Sequence, residues 1–594
     1  MIVHRPTLTE ISDIDSLAVR EQNPRNSPSS ASEVSRSKAF GRSRRRPVAL
    51  LVCFFLLMQS ALRLSAQTSE PYPNQSGIDS VWQYSIALEP GTERRAYLWI
   101  PPHCSKVRGV LFGLQNMLER PMFEDYEIRD AVASVDMAIV LVSPGSWPQK
   151  DLERQPNLEF KDAAESIAGI QTVLSGLAKE SGYTEIEFVP LLLTGHSAAS
   201  PFVWGVTRAW PGRVFAFLPM KGYHVDAIVP DVPTLKIEQE WAEWGANWGE
   251  VWQSDMQQAA DKVEVADHPL FGDFADLGSG HFDWHHDAAR IIGMFLREAA
   301  EARLPTNPPA GVPIRLKPIS PDSGVLVDPH TLGTSKFKAV PYRQWKGDSR
   351  YAFWYFDGEM ADAINTYMKT RLEKKPEVID FVVDDKSVPL TTNGFAAIKP
   401  QFLADGIHFR VLAQSLLASP STNLYEGRPL GHADTAIVYR VSSGALLQTG
   451  PDTFMMGARS GGLTRQGQPW EPWIMAYEPG DAVYRSADRP AHILIDIRNK
   501  VGNSQTLKFE KLSDVTAEVT TVPLSAQASS GLPVQFYVES GPAIVEGNIL
   551  RILSVPPRSH YPIKIIVSAY QWGRVGAQPV QSVGPETQEF FMRK

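Results

Sequence analysis

Two cysteines in 594 residues, Cys53 and Cys104, cannot build a disulfide framework. Cys53 lies inside an N-terminal apolar run without a small residue before it, which argues against a lipid anchor. If that run is removed, Cys104 stands alone and the fold must rest on its core. Also missing is any apolar stretch of the roughly 20 residues needed to span a bilayer. The apolar run from Val48 to Leu57 is too short for a comfortable span. Positive charge is scarce as well: the net charge is −8, and removing residues 1–66, with ten Lys/Arg against five Asp/Glu, would take it to −13. An acidic chain is a poor partner for nucleic acid or anionic membranes. No zincin-type H-E-x-x-H occurs, so no metal is expected, and no cofactor is implied.

The N-terminus explains where the apolar run belongs. Arg44, Arg45 and Arg46 precede it, and Leu64-Ser65-Ala66 offers a small-residue cleavage site before Gln67, the layout of a secretory signal. The expectation is therefore export, to the periplasm or beyond. A twin-arginine route is disfavoured by Pro47, which follows the arginines where that signal prefers apolar residues. About 530 remaining residues, in a chain 43% hydrophobic, suggest about three domains.

The densest chemical signal is Leu191-Leu192-Leu193-Thr194-Gly195-His196-Ser197-Ala198-Ala199. An apolar run fit for a buried strand ends in a serine flanked by small residues, and a helix can begin at Ala198. Such a turn bends sharply, lifts the Ser197 hydroxyl over the sheet end and leaves the Ala198 N–H facing an oxyanion. A serine nucleophile needs a base, and Gly278-Ser279-Gly280-His281-Phe282-Asp283-Trp284 supplies one 84 residues later, before an amphipathic helix over Asp287 to Ala302. His285 and His286 read as polar residues at that helix start. An orienting carboxylate belongs after the strand Val232 to Ile237. Glu243 is the first choice, Glu240 the second and Asp226 the third, whereas Asp273 and Asp276 read as shaping the histidine loop. Trp241, Trp244, Trp248 and Trp252 fall on one helical stripe, which forms either a substrate pocket, Trp241 and Trp244 foremost, or core.

Together these residues make Gln67 to about Pro305 resemble an α/β hydrolase of the serine esterase type. The resemblance implies a mostly parallel sheet with helices on both faces and acyl transfer to water through an acyl-serine. It also implies a second oxyanion donor from the loop Gly113-Leu114-Gln115-Asn116-Met117, among the N–H groups of Leu114, Gln115 and Asn116, with Gln115 taken first. Arg94 to Pro102 resembles the opening hairpin of secreted esterases and depolymerases, so carbohydrate esters or polyesters are the expected small or polymeric substrates. Strands are expected at Trp82–Leu88, Arg94–Ile100, Gly109–Leu114, Met137–Val142, Val189–Thr194, Val214–Pro219 and Thr234–Ile237, with a helix over Phe160–Ser181.

Past the stiff segment Leu304 to Pro309 the texture turns to short strands. Residues 306–513 read as a mainly β domain with one helix, Gly358 to Lys374, and strands that include Ile314–Leu316 and His492–Ile497. Its aromatic stretches are either core or platforms for polysaccharide contact. Residues 514–594 read as a small β-sandwich resembling the immunoglobulin-like modules of secreted bacterial proteins. Two other classes stay open: a non-catalytic binding protein on a hydrolase scaffold, and a serine peptidase on the same fold.

Overall fold

The computed structural model describes residues 81–88, 94–143, 163–222, 229–240, 256, 270–282, 284–307, 309, 311–391, 395–417, 430–457, 472–496 and 498–594. Its centre is one eight-stranded sheet: β1 (Tyr84–Ala87), β2 (Arg95–Trp99), β3 (Gly109–Leu114), β4 (Met137–Ser143), β5 (Leu191–His196), β6 (Val214–Met220), β7 (Thr234–Gln239) and β8 (Phe271–Asp276). The spatial order is β1-β2-β4-β3-β5-β6-β7-β8. The β1–β2 and β2–β4 pairings are antiparallel and β3 to β8 run parallel. Strands β3 to β6 read as unbroken apolar runs because both their faces are covered, and every residue in them is buried.

Helices cover both faces. On one side α1 (Glu119–Phe123), α2 (Tyr126–Ser134) and α5 (His286–Arg303) build a core with Leu111, Met137, Leu192 and Phe271; on the other, α3 (Ala163–Ser181) and α4 (Ser200–Ala209) pack on Phe112, Leu193 and Phe217. Asp125 starts α2 by accepting a hydrogen bond from the Glu127 N–H at 2.9 Å. Strand β8 is absent from the sequence expectation. Its residues, F-G-D-F-A-D, carry a glycine and two acids that read as loop, but a parallel partner in β7 and a covering layer outside it bury all six.

That outer layer comes from the chain just past the proline segment. Strands β9 (Val325–Val327), β10 (Val340–Pro341) and β11 (Phe353–Tyr355) form a small sheet, and α6 (Gly358–Leu372) follows. Tyr355 donates its hydroxyl to the Asp273 carbonyl at 2.6 Å, and a Cβ on Gly272 would meet the Tyr355 ring at 2.6 Å. Val327, Phe353, Tyr355 and Met360 belong to the same apolar cluster as α5. Ile314–Leu316 is not a strand; Ile314 instead packs into the other hydrolase cluster.

Further along lies a four-stranded sheet of β12 (Ala396–Ile398), β13 (Val438–Ser443), β14 (Trp473–Glu478) and β15 (Ala487–Ile493), ordered β12-β15-β14-β13. The C-terminal region is β-rich. Val515–Thr516, β16 (Gln535–Ser540), β17 (Ile563–Gln571) and β18 (Val583–Arg593) make one sheet, and Thr521–Pro523, Ala543–Glu546 and Ile549–Ile552 make another. The polar β18 is unanticipated; its pairing along β17 supplies the order that its sequence does not advertise. Leu550, Ile565 and Phe590 from these sheets lie in one cluster with Tyr84, Leu98 and Ile170, and Ser69–Lys594 is a single unit.

Candidate active site

Ser197 follows the last residue of β5 and opens the turn into α4, with φ at +51°. A left-handed conformation at a residue with a side chain costs on the order of 1–3 kcal/mol and persists only where the surroundings impose it. Here β5 and α4 impose it from both ends. Gly195 lets them meet, because a Cβ there would lie 2.7 Å from the Ala199 carbonyl oxygen and 3.0 Å from Val203. Both Ser197 and Ala198 are half-buried, so the hydroxyl and the first N–H of the turn stand at the rim of the sheet.

His281 arrives from the loop after β8. Its ring centroid lies 4.7 Å from that of His196, the residue before the serine, and its carbonyl accepts a hydrogen bond from His196 Nε2 at 2.8 Å. The loop thus sits against the serine turn through the two histidines. On the far side of its ring, His281 Nδ1 is 3.2 Å from Oε1 of Gln239, the last residue of β7. The amide oxygen accepts, so Nδ1 carries the proton and Nε2 is the basic nitrogen. Burial holds His281 well below its usual pKa, with His196 and Lys221 adding to the shift, and it is neutral at pH 7. His196 is likewise pushed down, to about 3, by burial, against the pull of its bond to the His281 carbonyl.

Among the described residues, the contact on His281 Nδ1 is thus an amide and not a carboxylate. Glu240, the second-choice acid, forms a buried ion pair with Arg485 and accepts the Gly278 N–H at 2.6 Å, while Gln239 takes the position on His281 Nδ1. The alternation of side chains along β7 accounts for this: consecutive residues at the strand end face different neighbours. Glu243, Asp226 and the tryptophans Trp241, Trp244, Trp248 and Trp252 lie outside the described residues.

The oxyanion expectation at Gln115 is corrected. Its N–H donates to the Val142 carbonyl at 2.8 Å, because the pairing of β3 with β4 continues one residue past Leu114. The neighbouring N–H groups of Asn116 and Met117 donate to Glu119 Oε2 at 2.8 and 3.1 Å, and the His196 N–H donates to Oε1 of the same carboxylate at 2.7 Å. Glu119 therefore ties the loop after β3 to the serine turn. Burial pushes its carboxyl up to about 7, against the backbone N–H groups of His196 and Asn116 that pull it down. No sequence signal marks Glu119, since the hydrolase pattern asks this loop for backbone donors and not for an acid. Asn116 adds a second tie, donating its side-chain amide to the His196 carbonyl at 2.9 Å.

Beneath the histidine loop lies a buried polar network. Lys221, in a left-handed conformation at the end of β6, donates to Ser279 Oγ at 2.6 Å and to the Gly280 carbonyl at 2.9 Å, and pairs with Asp276 at 3.1 Å. Asp276 also receives Ser279 Oγ at 2.6 Å, the Tyr367 hydroxyl and His285 Nδ1 at 3.0 Å. Despite its burial, Lys221 and His285 hold the Asp276 carboxyl far below the usual range. His286 binds Asp125 at 2.7 Å. His285 Nε2 also lies 4.0 Å from Asp287 Oδ2, so both helix-start histidines are engaged with carboxylates, and among the described residues no cluster of His, Cys, Asp and Glu is arranged for a metal ion. The β-rich segment supplies an aromatic wall: the Phe282 ring is 5.1 Å from Trp473 and 6.0 Å from Phe395, which are 4.6 Å apart.

No protein-family model and no curated protein matches the chain. Among solved structures it is similar to a dienelactone hydrolase from Anabaena variabilis, at 15% identity and TM-score 0.28, over 38% of this chain and 98% of that one. It is also similar to an α/β serine hydrolase without a lid from Xanthomonas campestris (13%, 0.26, 38% and 97%) and to an esterase from Pyrobaculum calidifontis (12%, 0.26, 41% and 98%). The eight-stranded, mostly parallel sheet of the N-terminal region is consistent with the α/β hydrolase fold.

Proposed function

We propose that this chain is an exported serine hydrolase that cleaves carboxylic esters. The observation that carries the reading is the left-handed Ser197 in the turn between β5 and α4, with the His281 loop packed against that turn and Nε2 as its basic nitrogen. In the reaction, Nε2 takes the Ser197 proton as Oγ bonds to the acyl carbon. The protonated imidazole then passes that proton to the departing alcohol. Water, deprotonated by the same nitrogen, releases the acid and restores the serine. The Ala198 N–H faces the developing oxyanion. Gln239 holds the tautomer and orientation that a carboxylate holds in a Ser-His-Asp triad, without its charge; an amide fills that role in Cys-His-Asn proteases.

Exposure of the mature chain to a fluorophosphonate, with intact mass and peptide mapping, tests the reading. One adduct on Ser197, absent from Ser197→Ala, is expected, and a panel of esters and peptides then separates esterase from peptidase. Substitution of Glu243 and of Glu240 tests whether a carboxylate is needed as well. A second reading, a non-catalytic binding protein on a hydrolase scaffold, is favoured by the neutral Gln239 on His281. It predicts no adduct and ligand binding unaffected by Ser197→Ala. In either reading the C-terminal β-rich region serves as an immunoglobulin-like spacer or docking module, and the β segments provide the surface for any polysaccharide contact.

A further inference from the structure

We infer that the β-rich segment at β15 is a working part of the proposed active site, with Asp488 as a positioning residue for His281. The inference rests on the reading of His281 as the general base.

The Gly280 N–H donates to both carboxylate oxygens of Asp488, at 3.0 and 3.1 Å, and Asp488 is buried. Gly280 immediately precedes His281. The carbonyl of the same glycine is held from the opposite side by Lys221, and the carbonyl of His281 by His196. Gly280 is thus fixed at its N–H by a residue more than 200 positions away, and at its C=O by the end of β6. With the backbone pinned, the imidazole has only its own two torsions left, and the Gln239 contact sets those. A side chain at Gly278, where φ is +90°, would strike the Ser486 carbonyl at 2.7 Å, so the chain before β15 presses directly on this loop. Arg440 of β13 donates to the Trp284 carbonyl at 2.6 Å, gripping the other end of the loop. A burial cost for the Asp488 carboxylate is incurred where a neutral acceptor would have sufficed for packing alone. Charge-assisted acceptance by both oxygens gives the Gly280 peptide a stiffer anchor than a neutral group would. A displacement of about 1 Å in a catalytic group can cost about 100-fold in rate, so a stiff anchor matters to turnover.

The test uses the full chain with Asp488→Asn, which keeps one acceptor oxygen, and Asp488→Ala, which keeps none. Two readouts are taken: kcat and KM normalised to the fraction of Ser197 that a fluorophosphonate labels, and the imidazole Nδ1–H resonance of His281, assigned with His281→Gln. Expected are a graded fall in kcat, about 2–10-fold for Asn and about 10–100-fold for Ala, with KM within twofold, and a His281 Nδ1–H resonance that weakens in the same order. A merely structural Asp488 would reduce the labelled fraction while leaving kcat per labelled site and the resonance unchanged, and that outcome overturns the inference. Should the Ala variant not fold, Asn decides: wild-type kcat and an unchanged resonance refute the assignment. The resonance needs no turnover. If wild type takes no label yet the resonance fades across the series, positioning stands and the hydrolase reading falls.

Discussion

Exchanging the amide on His281 for a carboxylate, Gln239→Glu, isolates the effect of a charge at that position. The Oε1 atom lies 3.2 Å from Nδ1, so a carboxylate there would stand about 4 Å from the centre of the imidazolium formed during acylation. At an effective dielectric of about 20 two unit charges at that distance attract by about 4 kcal/mol. Part of this is lost to desolvation of the new charge, since Gln239 is buried and is flanked by Glu238 and Glu240, already committed to Lys236 and Arg485. A net gain of about 1–3 kcal/mol corresponds to about 5–150-fold in kcat/KM. Replacing a triad aspartate by an amide can cost about 10⁴-fold, chiefly through the wrong tautomer, but Gln239 Oε1 already selects Nδ1–H, so only the charge is at stake here. The pH profile gives the sign independently. The wild-type His281 pKa lies well below 6.5, so the acid limb of kcat/KM should fall at low pH, and Gln239→Glu should move that limb upward. A slower enzyme with an unmoved acid limb would falsify the assignment of Gln239 as the residue that faces the reacting histidine.

Ser197→Ala and His281→Ala should each remove nearly all ester turnover in a steady-state assay; full activity in His281→Ala would sink the proposed mechanism. Glu119 has a folded pKa of about 7, raised from 4.5, so its contribution to stability is complete below pH 4.5 and is lost as pH rises through about 7. Denaturant titrations of wild type and Glu119→Gln should show a difference that changes by about 1.4 kcal/mol for each pH unit inside that window, and a constant difference would refute it. Gly195→Ala should lower stability by about 1–3 kcal/mol and block labelling, because the new methyl meets the Ala199 backbone at 2.7 Å. Arg485→Ala removes the cation facing the buried Glu240 and should cost about 3–5 kcal/mol by chemical denaturation; a change under about 1 kcal/mol would show the pair to be dispensable.

What is readable in the sequence is what local backbone chemistry dictates. The strand-serine-helix turn announces itself through Gly195 and the small Ala198 and Ala199, and the histidine loop through Gly278 and Gly280, since short-range sterics leave few other residues in such turns. Gln239 is not legible in the same way, because a triad pattern asks for a carboxylate beyond the strand, whereas the contact on His281 is an amide on the strand's last residue. Glu119 and Asp488 act through backbone N–H groups brought near by tertiary packing, and no spacing rule links positions so far apart. Strand β8 is hidden for a similar reason: Asp273 and Asp276 read as shaping the histidine loop until β11, α6 and Lys221 close over them.

The seam between the first strand and the last segment constrains how such a chain can be made. Gly541 donates to the Trp82 carbonyl at 2.9 Å, Tyr84 shares a hydrogen with Ser559 at 2.5 Å, and Arg558 pairs with Glu185 at 2.9 Å. Leu550, Ile565 and Phe590 finish the apolar face that Tyr84, Leu98 and Ile170 begin. During synthesis, the opening hairpin waits for more than four hundred residues before its cover arrives. Until then it presents an uncovered apolar face, which slows folding and invites aggregation. A chain built this way has reason to be held by an escort until β17 and β18 have emerged.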